Sequence, residues 1–171
     1  HDMDATGFGY AVGQIPRVDT LAFAADEALI ELAKSCCKDV NPDINTHVGR
    51  VVSGDQFVSS REKKDWLVKT FDGYCTEMEG AAIAQASYLN GIPFLIVRAI
   101  SDKADNSANM DYETFEAQAI THTVNLMTEI IRRYYAARCG FRQGFVDEND
   151  VYKIELLMNQ AGACIEDRSV I

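Results

Sequence analysis

No Cys-x-x-Cys pair occurs anywhere in the 171 residues. The five cysteines, Cys36, Cys37, Cys75, Cys139 and Cys164, are odd in number and irregularly spaced, which leaves zinc-binding and dithiol redox motifs without support. Cys36 and Cys37 fall inside a helical pattern, where one of them is expected to face the core as a small apolar residue. Thiol usage of this kind predicts a reducing compartment, hence a cytoplasmic location. Positive charge is also scarce: 16 Lys and Arg stand against 26 Asp and Glu, a formal net charge of -10. No basic stripe can form that would offset phosphate repulsion, so no nucleic-acid partner is expected. No apolar run approaches the length of a membrane span, so no membrane partner is expected either. Internal repeats and low-complexity tracts are absent. What is present is ordinary for a globular chain: 47% hydrophobic residues, ample for a core, in a length that suits one domain or slightly more.

Residues 3–16 alternate weakly and carry Gly7, Gly9 and Gly13 before Pro16. This pattern predicts an extended, glycine-interrupted strand with Phe8 and Tyr10 on one side. From Thr20 to about Asp39 the apolar residues Leu21, Ala25, Ala28, Leu29, Leu32, Ala33 and Cys36 recur at helical spacing. Asn41-Pro42-Asp43 breaks the chain. His47 to Ser53 reads as a strand, and Gly54 to Ser60 as the loop that follows it, where binding groups tend to gather. Residues 61–70 form a short surface helix, in which Trp66 packs and the charges from Arg61 to Asp65 face solvent. Gly73 to Thr76 leads into Glu77-Met78-Glu79-Gly80, which opens a helix over Ala81–Leu89 closed by Asn90-Gly91. A long helix is expected from about Tyr112 to Tyr135, with Phe115, Ala119, His122, Leu126 and Ile130 on its apolar stripe. His47 and His122 read as packed or surface histidines. Strands alternating with helices predict an α/β sheet with helices on its faces.

The centre of the chain is Arg98 to Asp105, which follows the apolar run Ile92–Val97. That run reads as a strand buried on both faces. A buried strand that ends in Ser101-Asp102 puts a carboxylate at the carboxyl edge of a sheet, where open α/β sheets bind ligands. Alternatively, Ser101 or Asp102 simply caps a following turn or helix. Upstream, Glu77 and Glu79 flank Met78 at the start of a helix. There, acidic residues can do no more than complement the helix dipole. Together, however, these residues place three carboxylates at the ends of successive elements, after the aromatic loop Gly54-Asp55-Gln56-Phe57. Carboxylates suit sugar hydroxyls, an aromatic face suits a flat heterocycle, and a buried acid suits protonation of a leaving group.

This combination closely resembles the bacterial 5′-methylthioadenosine/S-adenosylhomocysteine nucleosidases of the purine nucleoside phosphorylase superfamily. The likeness is carried by His1-Asp2, Gly7 to Tyr10, Gly13 to Pro16, Val52 to Phe57, Glu77-Met78-Glu79 and Val97 to Asp105, and covers roughly residues 1–135. It implies a three-layer α/β/α sandwich around a mixed sheet, of phosphorylase/hydrolase-like type and incomplete at the N-terminus. It implies hydrolysis of an N-glycosidic bond with release of adenine, in methionine salvage, with no cofactor and no metal. By the same resemblance, Asp102 protonates the purine at N7 and Ser101 helps hold that side chain. Glu79 accepts hydrogen bonds from the ribose hydroxyls, Met78 packs on the sugar, Phe57 stacks on the base, and the backbone of Val58 reads the adenine edge. Tyr112 falls near ribose and base. Phe8 and Pro16 fall where the family contacts the 5′-thio group of a neighbouring subunit's ligand, which implies a homodimer. Glu77 also lies in the family's site.

The family carries a further N-terminal portion, with the first strands and a water-activating glutamate, before the point that matches His1. The expectation is therefore a fragment of a longer protein, inactive when isolated. Residues 136–171 match nothing in the family. Arg138 to Phe145 reads as loop, and Asn149 or Asp150 is placed to cap an amphipathic helix with Val151, Ile154, Leu157, Met158 and Ala161 on one face. Two other readings remain: a phosphate-dependent nucleoside phosphorylase of the same superfamily, and a non-catalytic nucleoside-binding or assembly module.

Overall fold

The computed structural model describes residues 1–100 and 112–139, and in the second stretch the side chains of 116–137. Ser101, Asp102, the loop to 111 and everything beyond Cys139, including the expected helix after Asn149, lie outside the described residues. The chain divides into two compact units.

The first unit contains His1–Asp26 and, among the described residues, Val48–Ile100. Its frame is a parallel β–α–β unit. Strand β1, Arg50–Ser53, pairs with β2, Gly73–Glu77, in the register Val51↔Cys75, Val52↔Thr76 and Ser53↔Glu77. Parallel neighbours need a crossover, and helix α1, Arg61–Phe71, supplies it. Ser60 starts that helix by accepting the Lys63 N–H at 3.2 Å, and Asp72 ends it in the left-handed conformation, with φ 53°. Val52, Val58, Leu67 and Phe71 bury together beneath the pair, with Trp66 packed against them. The Trp66 and Phe71 rings meet edge-on at 5.4 Å, and Lys63 Nζ sits 4.0 Å over the Trp66 ring. Helix α2, Gly80–Leu89, follows β2 directly and is closed by Asn90 and by Gly91 at φ 62°, as its sequence indicates.

Two expectations in this unit are corrected. The glycine-rich start is not a strand. Thr6–Phe8 forms a 3₁₀ turn, because Asp4 accepts both the Thr6 N–H and hydroxyl, and Gly9 closes the turn at φ 87°. The Gly13 N–H then reaches back to the Met3 carbonyl, folding the segment on itself. Residues 92–100 are likewise not a strand buried on both faces. They pair in no ladder among the described residues, Ile92 is 59% exposed, and 94–100 are half-buried. Their apolar character reports a need for cover without specifying a partner strand. The first expected helix also begins later than Thr20. Thr20 turns on the Ala22 backbone, and the Asp26 N–H goes to the Phe94 carbonyl, so helical bonding waits until Glu27.

The second unit contains helix α3, Glu27–Val40, and helix α4, Tyr112–Cys139. Cys36 and Cys37 are both buried, not one of the two as expected, and burial pushes both thiols up. Ala119, Leu126 and Ile130 bury on α4. The fully buried Asn41 ties the pair by donating from Nδ2 to the His122 carbonyl at 2.8 Å. Helix α4 continues past the expected end near Tyr135 to Cys139, since no glycine or proline interrupts it before Gly140. Arg133 donates to Asp39 at 2.7 Å and to Ser35 at 3.1 Å, and it shares Glu129 with Arg132. Among the described residues, no helix is long and apolar enough to cross a membrane.

Two expected outcomes follow. Leu67→Ala empties the centre of the first core and should cost about 2–5 kcal/mol in denaturant unfolding. The second concerns pH. Hydrogen bonds from Arg132, then Arg133, hold the Glu129 carboxyl at about 2, against an ordinary 4.5. Folding lowers this pKa, so its contribution is present above pH 4.5 and is lost as the pH falls toward about 2. Glu129→Gln should melt below the parent at neutral pH, with the gap closing across that window. A gap of constant size would remove Glu129 as its cause.

Candidate active site at the carboxyl ends of the parallel strands

Ser53 and Glu77 are the last residues of β1 and β2 and stand opposite each other in the ladder. The chain turns from Glu77 into α2 with only Met78 and Glu79 between. The first N–H groups of a helix have no partner within it and attract negative charge. Glu77 folds its carboxylate into that position. Its Oε2 accepts the backbone N–H of Glu79 at 3.0 Å and of Gly80 at 2.7 Å, while Oε1 accepts the Ser53 hydroxyl. Ser53 Oγ in turn accepts the Ala81 N–H at 2.7 Å. Three N–H groups at the start of α2 are thus satisfied by the ends of the two strands. No side chain of α2 itself takes part, and Glu79, in the N-cap position, makes no side-chain cap.

Arg98 completes the group. Its guanidinium Nη2 bonds Glu77 Oε2 and also lies 3.2 Å from Glu79 Oε2. An arginine in an apolar run must find an anion, and here it finds two. The resulting order is Ser53, Glu77, Arg98, Glu79. The Glu77 side chain is 1% exposed, Arg98 17% and Glu79 44%. The buried end of the chain is internal, and the open end presents a carboxylate.

Of the residues expected at a site, Glu77 and Glu79 belong to this group. Val58 belongs to the buried core, so its backbone is fixed, and its neighbour Phe57 is exposed. Met78 is partly exposed between the two glutamates. The start of the chain docks on the loop after β1: the His1 nitrogen donates to the Ser53 carbonyl, and the Asp55 N–H donates to Asp2 at 2.6 Å. Further along that segment, Phe8 stands out into solvent and Pro16 is half-buried. Tyr112 is the first residue of α4, with its side chain outside the described set, as are Ser101 and Asp102. Ser53 and Arg98 had no role in the sequence reading. The available signal was a charged residue inside an apolar run and a hydroxyl at a strand end. Among the described residues, no group of three or more His, Cys, Asp or Glu is gathered so as to hold a metal ion.

A parallel β–α–β unit with a carboxylate at its strand ends is the arrangement of α/β proteins, whose open sheets take ligands at that edge. Residues 1–132 match the phosphorylase superfamily, and the chain belongs to that family. It is similar to the 5′-methylthioadenosine/S-adenosylhomocysteine nucleosidase of Exiguobacterium sp., with 37% identity over 134 residues, covering 78% of this chain and 57% of that protein. Among solved structures it is similar to the nucleosidase of the same name from Neisseria meningitidis, in complex with methylthio-immucillin-A (TM-score 0.68, 39% identity, covering 78% of this chain and 57% of that one). It is also similar to the futalosine hydrolase of Helicobacter pylori (TM-score 0.67, 33% identity, covering 78% and 56%). The chain thus spans little more than half the length of the relatives it matches.

Ser53→Ala removes a donor to Glu77 and the acceptor for Ala81 at one stroke. Loss of roughly 1–3 kcal/mol in urea unfolding is expected for groups left unpaired in this way. Unchanged stability would mean that solvent substitutes freely at this helix start.

Proposed function

We propose that the protein to which this chain belongs hydrolyses the N-glycosidic bond of 5′-methylthioadenosine and S-adenosylhomocysteine, releasing adenine. The observation that carries this reading is the half-open Glu79 carboxylate, held by Arg98 at the carboxyl end of the strand pair. A carboxylate there can accept both hydroxyls of a ribose diol. The similarity to nucleosidases of that name supports the substrate.

In this reading, rupture of the ribosyl–purine bond builds positive charge on the sugar and electron density on the base. Glu79 grips the sugar, with Met78 against it, and a nearby carboxylate favours the developing cation. Phe57 stacks on the base and the Val58 backbone reads its edge. Asp102, steadied by Ser101, gives its proton to N7 and relieves the second charge. Tyr112 closes on ribose and base. Phe8 and Pro16 serve the 5′-thio group across a homodimer, and the protein works in the cytoplasm, in methionine salvage. The likeness to futalosine hydrolase supports a second reading, the same bond cleavage on futalosine.

The test uses the full-length protein with 5′-methylthioadenosine, S-adenosylhomocysteine and futalosine, each with and without phosphate. Adenine release from the first two, independent of phosphate, is expected. Cleavage that requires phosphate would assign the phosphorylase branch instead, and cleavage of futalosine alone the second reading. Asp102→Asn should lower turnover by about 10²–10⁴-fold with substrate binding largely retained. Turnover within a few-fold of the parent would remove Asp102 from this role.

A further inference from the structure

We infer that Glu77 is a positioning residue that sets the sugar-gripping carboxylate of Glu79 through Arg98, and does not itself contact the nucleoside. The inference rests on the reading of Glu79 given above and extends it one residue inward. A carboxylate has about four lone-pair sites. In Glu77 the protein supplies four donors: the N–H groups of Glu79 and Gly80 and the Arg98 guanidinium on Oε2, and the Ser53 hydroxyl on Oε1. With its side chain 1% exposed, it has no surface left for a ligand hydroxyl.

Its bonds nevertheless converge on Glu79 by two routes. One is the main chain, since Glu77 Oε2 holds the Glu79 N–H at 3.0 Å and so fixes where that residue leaves the strand. The other is the side chain, since Arg98 is shared between both carboxylates and reaches Glu79 at 3.2 Å. Among the described residues, Arg98 bound to Glu77 offers Glu79 a single contact, at 3.2 Å, which leaves acceptor capacity open on a carboxylate 44% exposed. Freed from Glu77, the same guanidinium would turn to Glu79 and take it bidentately, in direct competition with a sugar diol. Glu77 is therefore what keeps Arg98 from closing the site. Gly80 fits this arrangement, because a Cβ there would come within 2.9 Å of Glu77 Oε1.

The experiment compares Glu77→Gln with the parent in the full-length protein, reading KM and kcat for 5′-methylthioadenosine and the inhibition constant of free adenine. Adenine has no sugar and so does not report on Glu79. The expected result is a KM raised about ten- to hundredfold, the size of one hydrogen bond to a charged group, with the adenine constant within about twofold of the parent. Adding Glu79→Gln should then make the protein little worse than Glu79→Gln alone, since the two residues act in series. Equal shifts in both constants, or additive effects in the double variant, would reduce Glu77 to a structural role and overturn the inference. Should Glu77→Gln not fold, Ser53→Ala removes one of the four donors. It should raise KM by at least about threefold, in the same one-sided way, and a shift shared with adenine overturns the inference equally. A parent protein that releases no adenine at all would instead bring down the functional reading, so the two failures are told apart by the parent.

Discussion

Everything at the strand ends depends on one buried carboxylate finding enough donors. Moving Glu77 out of water is costly unless its lone pairs are met. The structure meets them with a serine from the neighbouring strand, the opening turn of a helix, and an arginine from a distant run. Because those donors come from three separate parts of the first unit, the carboxylate fixes their mutual arrangement. The register Ser53↔Glu77 is part of the same solution, since a slip of one residue in either strand would turn that strand's side chain to the opposite face and part the two.

The group also divides labour by depth. Its inner members are buried and internally bonded, while its outer member remains partly in solvent. A polar network of this kind rigidifies only if every inner member is satisfied. Among the described residues, the one inner atom left over is Arg98 Nε. The helix dipole of α2 adds to the arrangement, because its positive end faces Glu77. Structural capping and ligand recognition therefore draw on adjacent residues of one short segment, Glu77-Met78-Glu79, with opposite demands on exposure.

How much of this is legible in sequence follows from the range of the interactions. Helices α1, α2 and α4 were readable because their bonds run four residues back and their apolar stripes repeat every turn. The end of α4 was misplaced because the change in composition after Ala136 does not break a helix, whereas Gly140 can. The run from Ile92 to Ile100 looked like a buried strand because apolar density signals burial, yet a strand exists only with a partner. The opening segment looked extended because its glycines were counted without Asp4, whose side chain winds the turn. At the site, the glutamates and Phe57 stood out by type and position. Ser53 and Arg98 did not, because their roles exist only once residues 21 and 24 positions away from Glu77 have been folded onto it.

The single tryptophan of the chain is Trp66, and it lies edge-on to Phe71 at the core of the β–α–β unit. Ultraviolet emission from indole is therefore a private signal of that unit. Helix α4 contains tyrosines and α3 none, and neither holds an indole, so their loosening would pass unrecorded in that emission. A melting curve followed by tryptophan light describes the half of the chain that holds Glu77, and backbone dichroism would weigh the helical half more heavily.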